Sequence, residues 1–204
     1  MRYAIFGDIH GYMSEYSAVI DAIRVYKPNH IICLGDIVEG GEFSNQLCDL
    51  IRNQSSIRCV RGNHDENNDV ILDATNSDWL KNLPTSIEEN DCCFTHESPA
   101  QPPRKINSEY EAWRALDETE HPLIVVGDSH VSKIYTDSGM TVGEARTVPF
   151  VYGEIVHLNR KTRYVISPGA VGYSRDSTHK PKYAILDLDQ YTLLIESIEM
   201  DTSL

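Results

Sequence analysis

The chain has 204 residues, 41% of them hydrophobic and 24% charged, a composition that excludes dominant disorder. A single core at this length buries roughly 70% of the unfolded surface, so neither disulfides nor partner chains are needed for folding. The 18 Lys and Arg against 31 Asp and Glu give a formal charge of -13, which repels phosphate backbones and anionic lipid and argues against extended nucleic acid or membrane as partners.

The N-terminal MRYAIFGDIHG enters a strand-like run directly, without the basic region and apolar core of a secretory signal, and a cytoplasmic location is expected. No run reaches the ~18 apolar residues of a membrane span. Short apolar runs rich in branched residues then recur at Tyr3 to Phe6, Ile31 to Leu34, Ile57 to Val60, Cys92 to Thr95, Leu123 to Val126 and Tyr164 to Ile166. They predict strands. Between the first three, Tyr16, Val19, Ile20 and Ile23, and then Phe43, Leu47, Leu50 and Ile51, repeat at helical spacing. This alternation predicts right-handed crossovers and a largely parallel sheet.

The Pro-rich stretch from Glu97 to Asn107, carrying Arg104 and Lys105, reads as a loop too short to link independent domains. A third helix is expected from Ser108 to Asp117, where Ser108 and Glu111 form a capping-box pair and Tyr110, Trp113 and Leu116 share a face. Residues 1–204 are thus expected to form one domain, with a lid insertion at about 97–121. After Val131 only strand and turn signals remain, closing with Tyr183 to Leu188, a turn at Asp189 and Gln190, and Thr192 to Ile198. They suggest an antiparallel sheet packed on the first. The five cysteines, Cys33, Cys48, Cys59, Cys92 and Cys93, lack CxxC spacing and are expected to be reduced and mostly buried.

Metal-binding residue types cluster just after the predicted strands: Asp8 and His10 in GDIHG, Asp36 in GDIVEGG, Asn63, His64 and Asp65 in RGNHDE, His96 in THES, and Asp128 and His130 in GDSH. In an open α/β sheet, residues just past the carboxyl ends of parallel strands gather in one crevice. Carboxylate and amide oxygens with neutral imidazoles suit two divalent cations, manganese foremost, with iron, zinc, nickel or magnesium as alternatives. In such a pair one carboxylate can bridge both ions, and a bridging hydroxide can attack phosphorus in line.

In this order the motifs resemble those of the calcineurin-like metallophosphoesterase superfamily, GDxH, GDxxD, GNHD or GNHE, an isolated His and GHxH. SPGAVG at Ser167 to Gly172 resembles a segment of its small phosphodiesterase-like branch. The resemblance covers nearly the whole chain. It implies an α/β fold, a four-layer αββα sandwich of two mixed β-sheets flanked by helices, with a dinuclear metal site at the strand C-terminal ends. It also implies Asp8, His10 and His130 on one metal, Asp36 bridging, and Asn63 and His96 on the other, with His64 not a ligand; a leaving alkoxide needs a proton or a positive neighbour, and the His64 imidazole is the catalytic candidate to serve.

Asp65 either fixes the His64 tautomer or caps its loop. Asp128 stands where the family usually has a His, and either ligates the second metal or turns away. Glu39 replaces the Asp of GDxxD, and Glu97 follows the isolated His; both are expected around the ligands or at the pocket rim. Arg175, just after SPGAVG, is a substrate-binding candidate that can pair bidentately with a phosphate, or else a surface arginine. His30 and His121 read as structural, and His179 lies in a polar loop.

The expected activity is metal-dependent hydrolysis of a small phosphodiester or phosphomonoester. Alternatives are a dinucleoside polyphosphate hydrolase, a phosphoprotein phosphatase, and a non-catalytic interaction scaffold on the same fold. The retention of His64 and Asp36 argues against the scaffold.

Overall fold

A computed structural model describes residues 1–39, 42–137, 143 and 145–200; the last four residues of the expected domain lie outside it. The first sheet contains β1 (Arg2–Phe6), β2 (His30–Cys33) and β3 (Ile57–Cys59), linked by α1 (Met13–Arg24) and α2 (Ser44–Arg52). These strands pair in parallel, Tyr3 opposite His30 and Ile31 opposite Ile57, so their C-terminal ends reach the same edge. After β3 come α3 (Asn63–Glu66), α4 (Ala74–Lys81), β4 (Ser86–Glu89), β5 (Cys92–Thr95), α5 (Glu109–Asp117) and β6 (Leu123–Val126). Then β7 (Lys133–Asp137), β8 (Ala145–Thr147), β9 (Ile155–His157), β10 (Tyr164–Ser167), β11 (Lys182–Asp187) and β12 (Thr192–Ser197) complete two mixed sheets. Their orders are β3-β2-β1-β11-β12-β9 and β4-β5-β6-β10-β7-β8.

The period-2 alternation of strands sorts side chains into layers. Tyr3 and Ile5 point inward with Phe94, Leu123 and Val125, forming the core between the sheets. Their neighbours Ala4 and Phe6 point outward onto Val19 and Ile23 of α1 and Leu47 and Ile51 of α2. On the far side Ile124, Val126 and Val165 meet Ala112, Ala115 and Leu116 of α5. The result is the expected helix, sheet, sheet, helix stack.

Three expectations are corrected, and one helix is new. The second half does not form a purely antiparallel sheet: β5, β6 and β10 are mutually parallel, and the β11–β12 hairpin joins the first sheet, with Arg2 opposite Asp187. Every residue of β11 is buried, which suits a position inside a sheet. In α2 the buried face is Ser44, Leu47, Cys48 and Ile51, leaving Phe43 and Leu50 exposed. In α5 the small side chains of Ala112 and Ala115 allow close approach to the sheet, so Tyr110 is exposed and Trp113 only partly buried. Finally, α4 lacks an apolar stripe and escapes periodicity; Asp73 caps it, accepting the Asn76 backbone N–H at 2.8 Å.

All five cysteines are free and buried. No helix among the described residues is long and apolar enough to cross a membrane. One buried charge positions the loop that carries Arg175. Lys182 Nζ donates to Ser174 Oγ at 2.9 Å, Asp176 Oδ1 at 3.0 Å, Thr178 Oγ1 at 2.8 Å and the Lys180 carbonyl at 2.8 Å. Lys182→Met leaves the Asp176 carboxylate without its cation, although Tyr152, Ser174 and Thr178 still donate to it, and is expected to lower unfolding free energy by about 3 kcal/mol, measured by urea denaturation.

Candidate metal centre

Strand ends deliver the polar residues, and an unusual backbone aims them. Asp8, His10, Asp36, Asp128 and His130 all have φ between 51° and 60°, the left-handed region that costs non-glycine residues about 1–2 kcal/mol each. Such conformations persist where surrounding bonds fix them. Here Asp8 N–H donates to the Gly35 carbonyl, Ile9 and His10 N–H both donate to that of Asp36, and Asp128 N–H donates to Asp8 Oδ1 at 3.0 Å. Gly62 is required by contact: a Cβ there would lie 2.1 Å from Asp36 Oδ1.

Ligand-capable atoms of Asp8, His10, Asp36 and His130, all buried, lie within 4.8 Å of one another. His10 Nε2 and His130 Nε2 face each other at 3.1 Å, and His130 Nε2 is 3.3 Å from Asp8 Oδ1. His130 Nδ1 donates to the Tyr173 carbonyl at 2.6 Å, leaving Nε2 with its lone pair toward the cluster. Beside this group, His96 Nδ1 donates to the Leu34 carbonyl at 2.7 Å. Its Nε2 lies 2.9 Å from Asn63 Oδ1 and 3.2 Å from Asp36 Oδ2. Asp36 therefore stands between the two sets, and its Oδ1 accepts the His64 backbone N–H at 2.9 Å.

Burial pushes the His10 and His130 imidazoles down to about 3 and about 4, so both are neutral at pH 7 and able to ligate. Burial, reinforced by Asp36 and Asp128, raises Asp8 to about 7. His96 is raised to about 10: burial alone would lower it, but the adjacent Asp36 and Asp8 carboxylates outweigh that.

The donor set fits divalent cations. Asp8 Oδ2 and Asp36 Oδ2 are buried with no aligned hydrogen-bond partner among the described residues. Such oxygens are costly unless neutralised by a cation.

Three side chains depart from expectation. The Asp65 carboxylate accepts backbone N–H groups from Asp36 at 2.9 Å, Ile37 at 2.8 Å and Gly62 at 2.9 Å, so it clamps the loops together and does not orient His64. The catalytic expectation for Asp65 gives way to the loop-cap alternative. Glu39 lies against both histidines instead, with Oε1 2.8 Å from His64 Nδ1 and Oε2 2.9 Å from His10 Nδ1, charge contacts rather than aligned hydrogen bonds. Asp128 lies outside the four-residue group and pairs with Lys105 Nζ at 2.6 Å. Glu39 and the basic pair in the 97–107 loop stand out in the sequence, but these contacts join segments far apart along it.

Arg175 lines a cavity of about 400 Å³ with His10, His64, His130, Tyr12 and Tyr173, on the side of the four-residue cluster. A second cleft of about 410 Å³ runs past Asn63, His96 and Glu97 to Arg61 and Gln101. His30 stacks on Tyr3, and His179 approaches the Ser174 carbonyl at 3.4 Å; neither lines these cavities.

A family model described as the calcineurin-like phosphoesterase superfamily domain matches residues 1–191. The chain belongs to this superfamily. Among solved structures, a metallophosphoesterase from Sphaerobacter thermophilus superposes with a TM-score of 0.86 and 26% identity, covering 98% of this chain and 90% of that one. An uncharacterized protein of Methanocaldococcus jannaschii is 29% identical over 97% of this chain and 87% of its own length. A hypothetical protein from Pyrococcus horikoshii shares the fold, with a TM-score of 0.71 at 14% identity over 98% of this chain and 89% of that one. Calcineurin-like phosphoesterases are dinuclear metal enzymes, and the Asp and His cluster at these strand ends is compatible with a metal site. The chain is accordingly a metal-dependent phosphoester hydrolase.

Proposed function

We propose that the chain hydrolyses a small phosphodiester, with manganese as its preferred metal, using His64 to protonate the leaving oxygen. The observation that carries this reading is His64 itself, half-buried at the cavity wall and held through Nδ1 by Glu39. With Nδ1 engaged by Glu39, Nε2 is left as the nitrogen free to give a proton, and a positioned imidazole is a common donor to a departing alkoxide. In this reading Asp8, His10 and His130 hold one cation, Asn63 and His96 hold the other, and Asp36 serves both. When bound, two such cations polarise the phosphoryl oxygens and supply a water-derived nucleophile at neutral pH. The many oxygen donors favour manganese over softer alternatives.

Asp128 adds a carboxylate to the second cation position, and Lys105 shares it. The 97–107 loop closes on itself through Ser98 N–H to the Arg104 carbonyl at 2.8 Å, while Arg104 turns away to Glu118. We assign the lid role to this loop rather than to α5, whose buried face is committed to the sheet. Arg175 supplies the positive charge for the phosphate. Cavities on both sides of the centre leave room for a substituent on each ester oxygen, which supports a diester over a monoester. The same two-sided shape supports dinucleoside polyphosphate as the second reading. The shared inner core supports one domain over residues 1–204, the free buried thiols support a cytoplasmic setting, and the charge of -13 supports small rather than polymeric substrates.

The test is hydrolysis of a chromogenic diester, the matching monoester and a dinucleoside tetraphosphate with added Mn²⁺. Fastest turnover of the diester is expected; no turnover of any would refute the proposal.

Metal loading should depend on pH in a set direction. The carboxyl of Asp8, raised to about 7, holds a proton below that value, and a cation must displace it. At the Asp8 position apparent Mn²⁺ affinity is expected to fall about tenfold per unit as pH drops below 7, while the His96 position, where the imidazole is raised to about 10, releases a proton on binding at neutral pH as well, both read by calorimetry in buffers of different ionisation enthalpy. A flat affinity would remove Asp8 as a proton-linked ligand.

A further inference from the structure

A second group of potential ligands lies on the edge of the second sheet, apart from the strand-end centre. Glu88 of β4 and Cys93 of β5 oppose each other across the antiparallel ladder, so their side chains share a face. His121 arrives from the turn before β6, and its Nε2 lies 3.1 Å from Glu88 Oε2. One ligand atom from each residue falls within 4.8 Å of the other two. The His121 backbone is anchored, since its carbonyl accepts from the Arg163 guanidinium at 3.2 and 3.1 Å.

The setting of Cys93 separates it from the other thiols. Cys33, Cys48 and Cys59 sit in the core beneath α1 and α2, and Cys92 sits between the sheets. Cys93 is only 1% exposed, yet it belongs to none of the three apolar clusters. The thiol sits at the rim of that hydrocarbon, opposite Ile124 on one side and Glu88 on the other, which puts its sulfur within ligating reach of a carboxylate and an imidazole.

We propose that Glu88, Cys93 and His121 form a peripheral site for a thiophilic divalent cation of the zinc class, with water in the fourth position. One thiolate, one imidazole and one carboxylate make a softer donor set than the oxygen-rich catalytic centre, so the two sites select different metals. Binding forms a sulfur–metal bond and releases the Cys93 proton to solvent. Burial, with Glu88 adding to it, pushes that thiol up to about 11, so uptake strengthens as pH rises. The bound ion would tie edge strand β4 to the turn before β6. Because Glu88 also lines the cleft beside Asn63 and His96, it would stiffen that wall. The inference does not depend on the hydrolase reading.

The test is titration of the full chain with Co²⁺, followed by absorption spectroscopy. Thiolate-to-cobalt charge transfer in the near ultraviolet cannot arise from the oxygen and nitrogen donors of the catalytic centre. The expected result is a charge-transfer band saturating at one thiolate per chain, absent in Cys93→Ser and displaced by Zn²⁺. His121→Ala, at a partly exposed position, is expected to weaken the Co²⁺ affinity that produces this band by about tenfold or more. A wild-type chain without the band, a band that survives Cys93→Ser, or unchanged affinity in His121→Ala would overturn the proposal.

Discussion

Asp36→Asn is expected to reduce diester hydrolysis by about 10³-fold or more, equivalent to ~4 kcal/mol of transition-state stabilisation, and to lower the bound Mn²⁺ per chain. The expectation follows from position. Asp36 Oδ2 lies 3.2 Å from His96 Nε2 and 3.7 Å from His10 Nε2, which places this one carboxylate between both candidate cation positions. An asparagine keeps the shape and loses the charge. Its amide nitrogen would also face cations wherever it replaced a ligating oxygen. The surrounding turn should survive, because the clamp on the Asp36 backbone N–H comes from Asp65 and is untouched. Rates and metal counts measured on the same folded preparation check the prediction, and a variant with full activity and two bound ions would contradict it.

His64→Ala is expected to behave differently, losing about 10² to 10⁴ in kcat while binding the same number of metal ions. The His64 backbone N–H donates to Asp36 Oδ1, and its ring packs edge-on against His10 at 5.3 Å without supplying a ligand atom in this reading, so truncating the side chain leaves the ligand set intact. The loss should be smallest for substrates whose leaving group departs readily without a proton, such as a nitrophenolate, and largest for alkyl esters. Glu39→Ala should give a milder decrease of about tenfold to a hundredfold, because it frees the imidazole without removing it. Comparing leaving groups across these two variants separates proton donation from a general disturbance of the pocket.

The first ring of the site was legible because it is local. Each of Asp8, His10, Asp36, Asn63, His96 and His130 follows an apolar run closely, and parallel strand ends converge for reasons of topology alone. What surrounds that ring was not legible, since it depends on contacts between loops. Asp65 sits next to His64 in sequence, yet its carboxylate is taken by backbone N–H groups near Asp36. Glu39 reaches His64 because the loops after β2 and β3 lie side by side. Lys105 finds Asp128 across the gap between a proline-rich loop and the end of β6. The same limit applied to the fold. Strand alternation marked β11 and β12 as a hairpin, but their docking beside β1 depends on a partner about 180 residues away.

In the proposed centre, distant loops place their donors around two neighbouring cations. The most direct measurement is anomalous diffraction from crystals of the chain loaded with Mn²⁺. Two peaks about 3.5–4 Å apart are expected, one contacted by Asp8, His10 and His130, the other by Asn63, His96 and Asp128, with Asp36 touching both. A single peak elsewhere on the surface, or none at the strand ends, would contradict this arrangement.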